Sequence, residues 1–123
     1  MPARVLIVED DTSIRDLLKT ILSRDGYGID LAMDGNEAIA ALAKNPFDAI
    51  LLDLMMPKTN GYEVIDHVAS TKLGVPIVIA TAAVKQIDNS RIDRNVVVAV
   101  IKKPFDIDEV RDAVADAVKS RTA

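Results

Sequence analysis

The 123-residue chain contains no cysteine and no tryptophan, and only one histidine. Without thiols there are no disulfides, thiolate metal sites or cysteine nucleophiles, so any bound metal must be a hard one held by oxygen. The single His67 stands in a helical pattern beside Val64, Ile65 and Val68, with no second His or Cys to complete a metal set. The 5 glycines are scattered, and none builds a phosphate loop of the Walker or dinucleotide type. No apolar run approaches the ~20 residues of a membrane span. Nor does a signal-peptide core follow Met1-Pro2-Ala3-Arg4. A net charge of -4 and the lack of a basic stripe interleaved with aromatics argue against direct nucleic-acid binding. Together these absences predict a soluble, cytoplasmic protein that contacts neither membrane nor nucleic acid directly.

What is present is an alternation. Apolar runs at 4–8, 48–53, 76–81 and 96–101 and a mixed run at 27–32 are separated by amphipathic segments at 12–24, 35–44 and 61–71, and by a polar segment around 84–93; another amphipathic segment follows at 106–120. In the first helix pattern Ile14, Leu17, Leu18, Ile21 and Leu22 share one face, and in the last Val110, Ala113, Val114, Ala117 and Val118 do. Five strand-helix units in succession predict an α/β fold, a doubly wound parallel sheet with right-handed crossovers. Runs such as Ile77-Val78-Ile79-Ala80 suit strands buried on both faces, whereas the more polar Tyr27–Ala32 suits an edge. The resulting strand order, 2-1-3-4-5, places the switch point between the first and third strands. With no linker or low-complexity tract, residues 1–123 are expected to form one domain.

Asp53 closes the run Ala49-Ile50-Leu51-Leu52, and Glu9-Asp10-Asp11 follows Val5-Leu6-Ile7-Val8. Both acidic groups therefore arrive at strand carboxyl ends and flank the same crevice. Carboxylates that share a crevice either raise a pKa or bind a cation, and Mg²⁺ suits one or two carboxylates supplemented by water and phosphate oxygens. Asp11 and Thr12 are read instead as caps of the helix that follows, and an aspartate at Asp53 can also simply end a strand. An aspartate carboxylate can itself attack a phosphoryl group and form an acyl phosphate. Such transfer needs cations and donors around three oxygens more than acid-base chemistry. Lys103, just after the fifth strand, can supply the cation, while Lys102 should point to the other side. Thr81 ends the fourth strand at the same level, with the Ala82 amide beside it. The proline-containing loop Leu54 to Gly61 has backbone carbonyls to offer a metal.

Taken in order, Val5-Leu6-Ile7-Val8-Glu9-Asp10-Asp11, Ile50-Leu51-Leu52-Asp53-Leu54-Met55-Met56-Pro57 with Gly61, Ile79-Ala80-Thr81-Ala82, and Lys102-Lys103-Pro104-Phe105 resemble the receiver domain of two-component response regulators. The resemblance covers essentially the whole chain. It implies a flavodoxin-like (βα)5 fold of the single-domain, chemotaxis type, with Asp53 as phosphoacceptor. It further implies Asp10 as a direct Mg²⁺ ligand, Glu9 as its acidic partner acting largely through water, and the Met55 carbonyl as a further ligand. Thr81 and Lys103 match the switch hydroxyl and the phosphate-binding lysine, and the Lys103-Pro104 bond is expected to be cis. The implied partners are a sensor histidine kinase or phosphotransfer protein and a downstream output protein, with the receiver itself a monomer or weak homodimer. It would be no enzyme beyond catalysing its own phosphorylation and dephosphorylation.

The chain departs from the family's pattern in two places. Val100 stands where receivers usually carry Tyr or Phe, three residues before the lysine, and Val84 to Asn95 carries only Val84, Ile87 and Ile92 as an apolar stripe. A short or mobile fourth helix is expected, with readout through a different face or a smaller shift. Two other functions stay open at this stage: a constitutive interaction module with a vestigial site, and a small aspartate-nucleophile phosphatase or transferase acting on outside substrates. The complete set Glu9, Asp10, Asp53, Thr81 and Lys103 argues against the first. The lack of room for a cap, or of a second acid-base group beside Asp53, argues against the second.

Overall fold

The computed structural model describes residues 2–55 and 61–122. Strands β1 (Arg4–Val8), β2 (Gly28–Ala32), β3 (Ala49–Leu52), β4 (Ile77–Thr81) and β5 (Val97–Lys102) form one parallel sheet in the order 2-1-3-4-5. The helices are α1 (Thr12–Arg24), α2 (Gly35–Lys44), α3 (Tyr62–Thr71) and α4 (Ile107–Thr122). The sheet order is the expected one, with the polar strand β2 at the edge. The fourth strand-helix unit is not complete. Between β4 and β5 the chain makes two 3-10 turns, Val84–Gln86 and Asn89–Arg91, in place of an α-helix. Three apolar residues cannot sustain a buried helical stripe of several turns, so the segment settles into short turns. Ile92 is buried, and Ile87 packs against the core from its edge.

Alternation along the strands divides the core in two. Leu6, Val8, Ile50, Leu52, Ile77 and Ile79 face α2 and α3 together with Phe47, Tyr62 and Ile65. Val5, Ile7, Ala49, Leu51, Val78 and Ala80 face α1 and α4. Each fully buried Leu or Ile contributes about 2 kcal/mol of transfer free energy. Helix α1 buries Leu18, Ile21 and Leu22, but Leu17, expected on the same face, is 46% exposed because it turns toward the edge of the stripe. In α4, Val110, Val114 and Ala117 are buried as their spacing predicts.

Two of the helices, α1 and α2, start at a capping aspartate. Asp11 caps α1 by accepting the Ile14 amide at 3.0 Å. Asp34 caps α2 by accepting the Glu37 amide at 2.8 Å, while Glu37 reaches back to the Met33 amide at 2.8 Å. The β4–β5 pairing contains one irregularity. Ile77 lies opposite Val97, but Val78 lies opposite Ala99, so Val98 is an extra residue in β5.

Candidate functional site

Glu9, Asp10 and Asp53 meet at the carboxyl ends of β1 and β3. The Asp53 amide donates to Val8 O at 3.0 Å, which ties the end of β3 to the end of β1. The Glu9 amide donates to Ala32 O at 3.0 Å on the other side. One carboxylate oxygen from each of the three acids lies within 4.8 Å of the others. Asp11, by contrast, is exposed and serves as a cap.

Lys103 comes from beyond β5 and closes the cluster. Its amide donates to Thr81 O at 2.9 Å, and its ammonium bonds Glu9 Oε1 and lies 3.3 Å from Asp53 Oδ2. Lys102, one residue earlier, is exposed. Asp53 Oδ1 accepts the Met55 amide at 3.0 Å, and Glu9 Oε2 accepts the Asp11 amide at 3.2 Å. Each inner carboxylate therefore has one backbone donor and a share of one cation.

The electrostatics follow from burial. Glu9 is only 2% exposed, and desolvation pushes its carboxyl up to about 7; the bond from Lys103 opposes this and the Asp53 charge reinforces it. Burial alone would lower the Lys103 ammonium, but the Glu9 hydrogen bond and the Asp53 and Glu9 charges outweigh it and hold it above its usual value. Three carboxylates against one ammonium leave a surplus of negative charge when all are ionised. An all-oxygen, carboxylate-rich set of this kind fits a hard divalent cation such as Mg²⁺.

Thr81 is fully buried, and its hydroxyl accepts the Ala83 amide at 3.3 Å. Ala82 is exposed beside it. Met55, whose carbonyl is a candidate metal ligand, is half exposed. The remainder of the expected loop, Met56 to Asn60, lies outside the described residues. The Lys103-Pro104 bond is cis, as the resemblance implied. Val100 lies opposite Ile79 in the sheet and is 37% exposed.

Sequence reasoning did not find Tyr62, Asp66, Asp88 and Arg91. The Asp88 amide donates to Tyr62 Oη at 2.7 Å, the Arg91 guanidinium sits 4.8 Å from the Tyr62 ring centre, and Arg91 Nη2 bonds Asp66 Oδ2 at 2.7 Å. No local pattern marks them, because Tyr62 and Asp88 lie 26 residues apart.

No helix among the described residues is long and apolar enough to cross a membrane. Residues 5–115 match the response regulator receiver domain family. The chain is 45% identical over 82 residues to the response regulator MprA of Mycobacterium sp. (strain KMS), covering 67% of this chain and 36% of that protein. The MprA response regulator of Mycolicibacterium vanbaalenii is 44% identical over the same share of each chain. The chain thus spans about a third of the length of these curated relatives. Among solved structures, the receiver domain of a LuxO repressor protein from Vibrio parahaemolyticus superposes with a TM-score of 0.88 at 28% identity, covering 99% of this chain and 94% of that one. The response regulator TrrA from Thermotoga maritima, solved with Mg²⁺ and beryllofluoride, gives 0.84 at 30% identity, covering 94% and 98%. A CheY-like receiver from Methanospirillum hungatei shares the fold, with a TM-score of 0.91 at 24% identity over 99% and 98% of the two chains. With its doubly wound sheet and its acidic cluster at the carboxyl ends of β1 and β3, this chain belongs to the response regulator receiver domains of two-component signalling.

Proposed function

We propose that this receiver takes a phosphoryl group onto Asp53 from the phosphohistidine of a sensor kinase or phosphotransfer protein, and that it signals by protein contacts to an output partner. The single observation that carries this reading is Lys103 held 3.3 Å from Asp53 Oδ2, inside a crevice that also holds Glu9 and Asp10. Residues 1–123 act in it as one receiver unit.

An Asp53 carboxylate oxygen attacks phosphorus, the phosphorus–nitrogen bond of the donor breaks, and its electron pair stays on the imidazole nitrogen. Lys103 then exchanges its bond to Asp53 for one to a phosphoryl oxygen. Thr81 can donate its hydroxyl proton to another such oxygen while still accepting the Ala83 amide. Exposed Ala82 offers its amide from the same strand end. Asp10, Asp53 and the Met55 carbonyl would hold Mg²⁺, with Glu9 as acidic partner, and the bound cation would neutralise charge on the phosphoryl oxygens. Hydrolysis of the acyl phosphate returns the starting state, so the chain acts catalytically only on itself.

Intact mass after incubation with a small-molecule phosphodonor tests this, with and without Mg²⁺ and alongside Asp53→Ala. Gain of one phosphoryl group that requires both the cation and Asp53 is expected. No gain, or equal gain in Asp53→Ala, overturns the reading.

A further inference from the structure

A second route connects the end of β3 to the segment between β4 and β5, and it does not pass through Thr81. Gly61 lies directly against the chain that follows β3. Its amide donates to Leu54 O at 3.1 Å, and a Cβ on it would fall 2.7 Å from Leu54 Cα and 2.9 Å from Asp53 O. Backbone packed on backbone this closely has no slack, so a displacement of Asp53 and Leu54 must move Gly61. Tyr62 comes next and opens α3, with its ring buried.

Three contacts from α3 hold the second 3-10 turn. Tyr62 Oη accepts the Asp88 amide at 2.7 Å, the Tyr62 ring carries the Arg91 guanidinium at 4.8 Å, and Asp66, one helical turn along, bonds Arg91 Nη2 at 2.7 Å. Asp88 in turn caps the turn by accepting the Ser90 amide at 3.0 Å. The turn has little internal support, since 3-10 geometry is weak and Asp88, Asn89 and Ser90 are exposed. Ile87 and Ile92 anchor the chain in the core on either side, and between these anchors the turn's exposed residues are held by the Tyr62, Asp66 and Arg91 contacts with α3. Val100, 37% exposed on β5, provides no ring to couple Thr81 to the same region.

We infer that the Asp88–Arg91 turn, held by Tyr62, is the element that reports the state of the acidic site, through Asp53, Leu54, Gly61 and Tyr62. This inference rests on Asp53 being the phosphoacceptor. Phosphorylation shifts the backbone after Asp53, Gly61 carries the shift into the first residue of α3, and the Tyr62 hydroxyl changes its hold on Asp88. Tyr62 is a positioning residue here and touches no reacting atom.

The test compares amide hydrogen exchange at Asp88 and Ser90 in the whole chain, with Mg²⁺ and with or without excess small-molecule phosphodonor, in the natural sequence and in Tyr62→Phe. Intact mass is read on the same samples. Tyr62→Phe keeps the ring and the Arg91 stacking but cannot accept the Asp88 amide. In the natural chain, phosphorylation should change exchange at Asp88 about fivefold, the factor corresponding to one hydrogen bond's net contribution. In Tyr62→Phe the mass gain should be unchanged and that difference lost. A merely structural tyrosine would speed exchange equally in both states and leave the difference intact, which overturns the inference. So does a phosphorylated natural chain with no change at Asp88. Absence of any mass gain overturns the phosphoacceptor reading and this inference with it.

Discussion

Lys103 Nζ lies 3.3 Å from Asp53 Oδ2 although 50 residues of chain separate them, and the same ammonium bonds the buried Glu9. One cation thus offsets two nearly inaccessible carboxylates. Breaking a buried pair by removing one partner leaves uncompensated charge.

Lys103→Met should therefore destabilise the metal-free protein by about 3 kcal/mol at pH 8. At pH 5 the loss should be much smaller, because Glu9, already pushed up to about 7, relieves the repulsion by taking a proton. Urea unfolding in chelator at the two pH values checks this, and equal losses at both would contradict it.

Glu9 itself makes stability depend on pH. Its folded value of about 7 lies above its ordinary value of 4.5, so the folded state holds the proton more tightly. The stabilisation is complete below pH 4.5 and is lost as pH rises through 7, with an upper bound of about 3 kcal/mol. In Glu9→Gln this contribution should vanish, so the stability difference between the two proteins should change across that window. Denaturant midpoints taken every half unit of pH, without divalent ions, provide the measurement; a constant difference would refute the assignment.

Mg²⁺ should reverse that trend, since it favours the ionised cluster. Ligand present at a hundredfold excess over its dissociation constant adds about 2.7 kcal/mol. Thermal unfolding should show this gain in the natural chain, larger at pH 8 than at pH 6, and little of it in Asp10→Asn. An unchanged shift in Asp10→Asn would remove Asp10 from the site.

Gly61→Ala places a methyl group 2.7 Å from Leu54 Cα and 2.9 Å from Asp53 O. Both neighbours are backbone and cannot rotate away. A loss of about 2 kcal/mol is expected from overpacking, together with slower phosphoryl uptake because Asp53 is displaced. Calorimetry and the mass assay together check both parts. Natural-like stability in this variant would show that the loop has more freedom than its contacts imply.

Much of this arrangement was legible in the chain. The buried strands announced themselves as unbroken apolar runs, and the polar run Tyr27–Ala32 correctly marked an edge. Given that order, Asp10 and Asp53 had to share a crevice, because strand ends are positions that topology fixes. The fate of 84–93 was less legible, since a weak stripe of Val84, Ile87 and Ile92 fits either a short helix or successive turns. Leu17 had the right spacing for burial, but spacing does not say where a stripe ends. The Tyr62 contacts with Asp88 and Arg91 left no local trace, because they join residues with no periodic relation to one another.

The extra residue in β5 governs more than its own place in the ladder. Val97 joins the α2/α3 side of the core, yet Ile101, an even number of residues later, joins the α1/α4 side. Val98 acts as a shim that inverts the strand's facing partway along, bringing Lys102 level with Thr81 and Lys103 one step past it. Excising Val98 would let the pairs Val97–Ile77 and Ala99–Val78 follow one another without a break, while Ile101 keeps Ala80 and Lys102 keeps Thr81 as neighbours; the place of Lys103 is thus fixed by its pairing with β4, and the bulge absorbs the one residue of surplus chain before it.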